Sequence, residues 1–406
     1  MNIPSVDIPG VGIPSIDIAR SLPHKKTPQG KTRVLHANYT RNRAGEQVAA
    51  ELEHLRFFAQ VAQSLGLQLE ILTPVNSQED VETLLTSGDY RGLNYQVIVS
   101  PNPISKWAED SVEYLENGDL AILTPIDDDR LEWAMKEGRR QRWRSMVPAD
   151  LLEAVLNEDH LWIPLGIRVN SSDTGQERER VAQDQGLNIG YLRAYIEGGN
   201  MITGEDAAGN SMVLVGKDAI ATTAHLYQLT DDEVRQIIAE DFGLSNSNPI
   251  IAVEQPGQFH LDMGLLFLGN GVVVLNDSNQ GLQDAIEMAE LAPCATTQAM
   301  AAKLQLQCAL ETAAAQDLQF AGLTVIRQSL ENNVMYNFFN GEFVEDNDGH
   351  AYYITNGGPS DQQNAFRTLM VNDWQVVQDV FFSPSQAAYK SLQDRGGVGC
   401  RLKGSR

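Results

Sequence analysis

The segment Gly396–Lys403, with the sequence GGVGCRLK, places a cysteine at the end of a glycine run near the end of the sequence. Glycine tolerates positive φ angles and lets another group approach the backbone closely. Arg401 and Lys403 follow Cys400, and nearby cations favour the thiolate, which is the reactive form of cysteine. Alone the segment is weak evidence, because a cysteine in such a setting is more often inert. Its interpretation depends on whether other segments supply matching groups.

The composition is that of a globular protein with a strongly negative charge. The chain has 406 residues, 42% of them hydrophobic, and a formal net charge of −24. This charge argues against nucleic acid or an anionic membrane as the main partner, and it fits attraction of a cationic small molecule. No stretch approaches the ~20 apolar residues of a membrane span. The three cysteines form no close pair and no secretory signal is visible, so we expect a reducing, cytoplasmic location.

The first 30 residues differ from the rest of the chain. Ile3–Ile8 reads IPSVDI and returns as IPSIDI at Ile13–Ile18. The prolines disfavour a helix and suit an extended arm. This arm could be a flexible tail or an edge strand, or it could dock on a partner subunit or on the protein's own body. We therefore predict an extended arm over residues 1–30 and a single domain over residues 31–406, where no further linker is evident.

Short strands, hairpins and helices alternate through that domain, which indicates an α/β fold. Strands are predicted at Val34–Ala37, Leu67–Leu72, Tyr95–Val99, Leu120–Leu123, Met212–Val215, Ile250–Val253, Leu265–Leu268, Val272–Leu275, Leu323–Ile326, Val334–Phe338 and Tyr352–Thr355. Helices are predicted at Ala44–Leu65, Ser77–Leu85, Arg130–Arg144, Thr230–Phe242, 281–317 and Asn364–Val380. Cys294 and Cys308 fall in the helical region 281–317, and we interpret both as packing residues.

An acidic loop follows the predicted strand Tyr95–Val99. The segment Trp107–Glu113 reads WAEDSVE, so several carboxylates stand close to an aromatic side chain. A planar guanidinium prefers bidentate carboxylate acceptors and a ring on which to stack. The alternative is a solvated turn with Trp107 tucked into the core. Glu109 and Glu113 are also candidate calcium ligands, although they could equally be solvated.

Two further segments supply complementary groups. Glu197 precedes a Gly-Gly-Asn sequence, which is either a hairpin turn or a strand end that directs the carboxylate into a cleft. In an extended chain His260 and Asp262 would point to the same face. Such a histidine could be a catalytic base, a metal ligand or a salt-bridged core residue. No other histidine or cysteine stands at metal-ligand spacing, and no nucleotide-binding glycine motif is present, so we predict neither a metal nor a cofactor.

Together these segments resemble the guanidine-modifying superfamily, the penteins. That superfamily includes arginine, agmatine and protein-arginine deiminases and the arginine:glycine amidinotransferases. The resemblance is carried by Trp107–Asp110, Glu197–Asn200, Phe259–Asp262 and Gly396–Cys400, in this order. The Trp-x-x-Asp-x-x-Glu form is most similar to the protein-arginine deiminases. The glycine run is shorter than that of agmatine deiminases and amidinotransferases, and it lacks their histidine before the cysteine.

The resemblance implies an α/β propeller of repeated ββαβ-type units about a pseudo-five-fold axis, with the site in the central cleft. It also implies roles for individual residues. Cys400 would be the nucleophile, His260 the proton-transfer group and Glu197 the residue that orients the histidine. The substrate-binding residues would be Asp110, Asp262, Trp107, Glu113 and Asn200.

The implied function is hydrolysis of a guanidino group through a thiouronium on the cysteine. The substrate would be a cationic guanidino compound such as arginine, agmatine or a peptidyl arginine. If an amine instead of water resolved the intermediate, the protein would be an amidinotransferase. A non-catalytic guanidine-binding protein is a second alternative, although guanidine binding alone would need only the carboxylates. A cysteine protease that uses Cys400 and His260 is disfavoured by the acidic residues. Formation of a homo-oligomer stays open.

Overall fold

The computed structural model describes residues 20–41, 46–123, 128–146, 171–256, 260–329, 336–394 and 396–406, together with residues 148, 149, 152, 153 and 156. These residues form a mixed α/β structure with five small sheets. Four of the sheets have three strands and one has four. Among the described residues no helix is both long and apolar enough to cross a membrane.

The strands alternate along the chain with helices. The strands are β1 (Val34–Asn38), β2 (Gln68–Pro74), β3 (Asn94–Ser100), β4 (Val112–Tyr114), β5 (Leu120–Leu123), β6 (Ile189–Leu192), β7 (Met201–Glu205), β8 (Ser211–Gly216), β9 (Ile250–Val253), β10 (Leu265–Gly269), β11 (Val272–Asn276), β12 (Thr324–Gln328), β13 (Gly341–Glu345), β14 (Ala351–Thr355), β15 (Val380–Phe382) and β16 (Leu402–Ser405). The helices are α1 (Glu46–Leu65), α2 (Gln78–Thr86), α3 (Asp128–Trp143), α4 (Ser171–Asp184), α5 (Lys217–Tyr227), α6 (Asp231–Asp241), α7 (Asn279–Leu291), α8 (Ala295–Phe320), α9 (Ser360–Thr368), α10 (Ser385–Gln393) and α11 (Val398–Arg401).

The same connectivity recurs in all five sheets. In each three-stranded sheet two strands form an antiparallel hairpin, and a helical connection then leads to a third strand parallel to the second. The fifth sheet repeats this unit across the two ends of the described chain. There β16 pairs antiparallel with β1, and β1 pairs parallel with β2, which is followed by β3. Five ββαβ-type units are therefore present, one of them closed by the last strand.

Several strands of this fold, such as β8, are buried on both faces. In β8, Val213 and Val215 pack with Ile220 of α5 on one side. Met212 and Leu214 pack on the other side against residues of the next sheet, including Leu265 and Val273. A strand covered on both faces reads as a continuous apolar run instead of an alternating one. This is why the segment MVLV is such a clear strand signal in the sequence.

The described part of the predicted arm lies on the body of the protein. The backbone N–H of His24 donates to the carbonyl of Tyr114 at 2.7 Å, and that of Lys26 donates to the carbonyl of Thr203 at 3.0 Å. Residues 20–30 thus connect the first and second three-stranded sheets. The repeat at Ile3–Ile18 lies outside the described residues, so its conformation stays a prediction.

Several predicted elements differ from the structure. The helix predicted over Asn364–Val380 ends at Thr368 and continues as one wider turn, Leu369–Asp373. Of the strand predicted at Val334–Phe338, residues 334 and 335 lie outside the described residues, and 336–338 form no strand. Their aromatic side chains suggested a strand because they pack in the core, where the ring of Phe338 stacks on that of Phe366 at 5.4 Å.

The two cysteines of the region 281–317 have different environments. Cys308 is buried in α8, as expected of a packing residue. Cys294 is exposed, so its interpretation as a packing residue is wrong. The physical reason is the preceding Pro293, which separates α7 from α8 and leaves Cys294 in the connection, at the N-cap of α8. In contrast, Thr230 caps α6 as its sequence predicts, through a reciprocal capping box with Glu233.

Candidate active site

Each of the five units has a polar residue one to three positions before the first strand of its antiparallel pair. These residues are Asp110 before β4, Asn200 before β7, Asp262 before β10, Asn340 before β13 and Cys400 before β16. All five are at most 5% exposed. The repeat therefore explains how residues far apart in the chain come to occupy corresponding positions.

The cysteine is held by backbone hydrogen bonds from neighbouring units. The N–H of Val398 donates to Oδ1 of Asn356 at 2.9 Å, and the N–H of Cys400 donates to Oδ1 of Asn340 at 3.3 Å. The carbonyl oxygen of Cys400 accepts from the N–H of Glu109 at 3.3 Å. These bonds fix the short helix α11 between the fourth unit and the acidic loop.

Two glycines of the site segments allow close approach of other groups. A Cβ atom on Gly397 would collide with the side-chain amides of Asn356 and Asn340. A Cβ atom on Gly199 would collide with Nδ1 of His260. Both contacts require a residue without a side chain. Gly397 and Gly199 are thus required for close packing of the side chains around the candidate site.

The thiol, the imidazole and a carboxylate converge in the interior. One reactive side-chain atom from each of Cys400, His260 and Asp262 lies within 4.8 Å of the other two. All three residues are at most 1% exposed. The expected extended backbone through 260–262 is wrong, because His260 is extended but Leu261–Met263 forms a 3-10 turn. The two side chains nevertheless reach the same space through this turn.

Glu197 contacts the histidine directly. Its Oε2 lies 2.6 Å from Nε2 of His260, and both residues are buried. A carboxylate at this distance holds the ring in one orientation and favours a proton on Nε2. Glu197 stands at the start of the 3-10 turn Gly198–Asn200, so the Gly-Gly-Asn sequence is the turn that positions this carboxylate.

Asn340 is a site residue that the sequence interpretation missed. Its Nδ2 donates to Oδ2 of Asp262 at 2.7 Å and lies 3.3 Å from Sγ of Cys400. The side chain is fully buried. An N–H directed at sulfur stabilises the thiolate form. A lone asparagine in a loop carries no signal of its own, but its place before the first strand of the fourth hairpin could have identified it.

Lys26 also enters the site, and the sequence interpretation missed it too. Its ammonium lies 3.0 Å from Oδ2 of Asp262 and forms a second ion pair with Glu109. Burial raises the pKa of Asp262 to about 7, and the adjacent Glu109 adds to this effect while Lys26 opposes it. Burial also acts to raise the pKa of Glu109, but Lys26 and Lys403 outweigh it, so that pKa is lowered.

The cations beside Cys400 in sequence are engaged elsewhere. The ammonium of Lys403 pairs with Glu113 at 2.6 Å. The guanidinium of Arg401 bonds Glu51 at 3.0 Å. The expectation that these two cations favour the thiolate therefore lacks support, because each has its own carboxylate counter-ion. Burial raises the pKa of Glu113 to about 7 despite Lys403.

The remaining predicted site residues have clear places. Trp107 packs with Cys400 and Met263, and the guanidinium carbon of Arg401 lies 5.1 Å from its ring centre. The ring of Trp107 is therefore already in contact with a cationic side chain of the protein, that of Arg401. Asp110 is buried and borders a narrow gap with Glu113.

Asn200 and the acidic pair Glu109–Glu113 are engaged with other side chains. Oδ1 of Asn200 accepts from Gln255 at 3.2 Å, which places it in the scaffold of the second sheet. Neither Glu109 nor Glu113 is solvated, since each pairs with a lysine. The ammonium groups of these lysines occupy the neighbourhood in which a calcium ion would have to bind.

The fold is shared with solved structures. Eight solved chains match, and one is the X-ray structure of a "putative agmatine deiminase". That structure has 14% sequence identity to this chain and a TM-score of 0.59, with 95% of each chain covered. At this identity the similarity shows the fold alone. No protein-family model and no curated protein matches the chain.

Proposed function

We propose that the protein is a guanidine deiminase that hydrolyses a guanidino group through a covalent intermediate on Cys400. The observation that supports this most is the buried convergence of Cys400, His260 and Asp262, with Glu197 behind the histidine. The fold shared with a structure described as a deiminase is consistent with it. We further infer that the five units surround a pseudo-five-fold axis, with the site at its centre.

A guanidinium suits the charge of this site. Glu109 and Asp262 share the one ammonium of Lys26, and Asp110, the neighbour of Glu109 in sequence, is a third buried carboxyl residue. A further cation is therefore electrostatically favoured. Asp110 and Asp262 would accept paired hydrogen bonds from the planar group, which presents its N–H donors in a fixed geometry.

The proposed first half-reaction forms a carbon–sulfur bond. The thiol proton passes to His260, and the thiolate attacks the central carbon of the guanidinium. The protonated His260 then gives its proton to one nitrogen, and the carbon–nitrogen bond breaks with release of ammonia. Asn340 donates toward the sulfur, which favours the anionic nucleophile.

The second half-reaction regenerates the enzyme. His260 accepts a proton from water, and the resulting hydroxide attacks the carbon of the thiouronium. The carbon–sulfur bond then breaks, and the leaving thiolate takes back the proton from His260. The hydroxyl proton passes to bulk water, so the product carries a neutral ureido group. Glu197 supports both steps because it holds the ring and stabilises the imidazolium that forms in each.

The test is an assay of guanidino compounds with the purified protein. Arginine, agmatine and an arginyl peptide are incubated separately, and ammonia and ureido product are both measured. We expect equal amounts of the two products with at least one compound. Product that forms only when an amine acceptor is added would identify an amidinotransferase instead. Absence of product with every compound would contradict catalysis and favour a guanidine-binding protein.

A further inference from the structure

Lys26 is a buried cation at the centre of the proposed site. It comes from the segment before β1, whose backbone is fixed by the hydrogen bond from the N–H of Lys26 to Thr203. Its side chain is 12% exposed, and its ammonium pairs with both Glu109 and Asp262. The proposed mechanism gives this residue no role, so its presence needs a separate explanation.

The surroundings of Lys26 keep it charged. A small cavity of about 10 Å³ beside it is lined mainly by apolar and aromatic residues such as Phe267, Phe343 and Tyr353. Burial of this kind lowers the pKa of a lysine. Here Asp262 and Glu109 outweigh burial, and the pKa of Lys26 is raised well above its usual value. The residue is thus a permanent ammonium at neutral pH.

The two oxygens of Asp262 have different neighbours. Oδ2 accepts from Lys26 at 3.0 Å and from Asn340 at 2.7 Å. Oδ1 has no hydrogen bond within the part of the chain that the structure describes. Oδ1 also lies 2.9 Å from the position that a Cβ of Gly199 would take, next to Nδ1 of His260. Lys26 therefore binds Oδ2 of Asp262, whereas Oδ1 of Asp262 lies on the side of His260.

We propose that Lys26 is a positioning residue that favours the ionised form of Asp262 and directs its Oδ1 toward the guanidinium of the substrate. This inference rests on the proposed function. Lys26 would not compete with the substrate, because the two cations would bind different oxygens of the same carboxylate.

Other charged groups around Asp262 make this cation necessary. Glu109 comes from the acidic loop and acts to raise the pKa of Asp262, whereas Glu342 of β13, whose own pKa burial raises to about 7, acts on Lys26. Lys403 of β16 is paired with Glu113, and Tyr353 of β14 is a phenol whose pKa is raised by burial. His260 and Cys400 border the same space. Without Lys26, burial and the neighbouring Glu109 would drive Asp262 to take up a proton.

The test compares Lys26→Gln with Lys25→Gln across a range of pH. Lys25 is a matched control, since it is adjacent in sequence and its ammonium pairs with Glu205 of β7 at 2.8 Å instead of with Asp262 or Glu109. Protonation of Asp262 limits activity at low pH, so loss of Lys26 should raise the pKa that governs the acid limb of kcat/KM. In Lys26→Gln we expect the pKa of this acid limb to rise by about one unit or more and the KM at pH 7 to rise about tenfold. Lys26→Arg should return the limb toward the wild-type position.

Two results would overturn the inference. An acid limb in Lys26→Gln that matches that of Lys25→Gln would show that Lys26 does not control the ionisation of Asp262. A higher kcat/KM in Lys26→Gln would show that Lys26 competes with the substrate. If the variant does not fold, lysine-selective ¹⁵N NMR of the wild-type protein with methylguanidine decides. The Lys26 ammonium signal should persist in the complex, and its displacement would contradict the proposal.

A failure of the proposed function can be told apart from a failure of this inference. If the wild-type protein acts on no guanidino compound, the carboxyl ¹³C signal of Asp262 can be titrated directly, with Asp262→Asn for assignment. A lower pKa in the wild-type protein than in Lys26→Gln would support the role of Lys26 without any substrate. Equal pKa values would overturn it.

Discussion

Two clusters in this molecule contain similar residue types and differ in burial and in their hydrogen-bond partners. His260, Asp262 and Cys400 form one, and Asp346, Asp348 and His350 form the other. In each, three side-chain atoms lie within 4.8 Å of one another. The first cluster is fully buried, whereas two members of the second are exposed.

The partners of the two clusters explain the difference. Oδ1 of Asp346 accepts from the backbone N–H groups of Asp348 and His350, each at 2.9 Å, within the turn between β13 and β14. Burial acts to raise the pKa of Asp346, but these local bonds together outweigh it, so that the pKa is lowered. Asp262 instead meets Lys26 and Asn340, which are 236 and 78 residues away in the chain. Bonds between near neighbours in sequence stabilise the turn at Asp346. Partners that are distant in sequence surround Asp262 and shift its pKa.

The largest effect of a substitution is expected at the cysteines. Cys400→Ala should reduce kcat by roughly 10³-fold or more, as loss of a covalent nucleophile does. Cys294→Ala, which alters an exposed cysteine, should leave kcat unchanged. Steady-state kinetics and circular dichroism of both variants check this. A folded Cys400→Ala variant with wild-type activity would exclude the proposed mechanism.

The histidines provide the next test. His260→Gln should lower kcat by about 10²–10⁴-fold, because it removes the group that transfers protons. His350→Gln changes only the exposed turn, and its kcat should equal that of the wild type. The assay is the same release of ammonia. Equal losses in the two variants would mean that burial beside Glu197 gives His260 no special role.

The carboxylates should show a smaller effect, mainly on binding. Asp110→Asn replaces one charged acceptor of the guanidinium, which is worth about 1.5–3 kcal/mol for a charged hydrogen bond. We expect a higher KM and a higher Kd for a guanidino ligand in calorimetry. Asp346→Asn is the control and should bind as the wild type does. Unchanged affinity in Asp110→Asn would remove Asp110 from the site.

The smallest effect concerns stability and not activity. His54 of α1 is buried, and burial lowers its pKa to about 3, with Arg401 adding to the effect. The unfolded chain therefore binds a proton at this residue below pH ~6.5 while the folded protein does not, so stability falls as the pH decreases. Between pH 7 and pH 5 this costs about 2 kcal/mol.

The measurement is thermal unfolding of His54→Phe and of the exposed-residue control His350→Gln. His54→Phe should lose less Tm than the wild type between pH 7 and pH 5, since phenylalanine takes up no proton. The control should follow the wild type. An equal loss of Tm in all three proteins would show that His54 does not contribute to the acid sensitivity.

Much of the fold follows from the sequence, because the distribution of apolar residues reports burial directly. The strand at Met212–Val215 and the helix capped by Thr230 are examples that local residues specify. Elements whose signal is weaker were missed, such as α5 and the short strand β13. The repeated ββαβ unit was expected only through the resemblance, since its units share connectivity and not an obvious sequence repeat.

The candidate site could be predicted in part. Three of the four motif segments supply Cys400, His260, Asp262 and Glu197, which the structure brings together. Asn340 has no distinctive spacing, and its importance comes from partners in other units. Lys26 belongs to a segment interpreted as an arm, and nothing in its own surroundings reveals a carboxylate 236 residues away.

The expectation for the cations near the cysteine failed for the same reason. Arg401 and Lys403 stand next to Cys400 in sequence, but Glu51 and Glu113 neutralise them from other parts of the chain. Sequence proximity therefore overestimates their effect on the thiol. Charge balance in a buried site depends on all neighbouring units, and only the folded structure gives that information.

The most direct test is to locate a covalent adduct. The protein is mixed with a guanidino substrate, quenched in acid within the first turnovers, and examined by intact mass and by peptide mapping. The account predicts an N-substituted thiouronium, with the mass of the substrate minus ammonia, on the peptide that contains Cys400 and none on those that contain Cys294 or Cys308. Turnover with no adduct on Cys400, or with the label on Cys294, would contradict it.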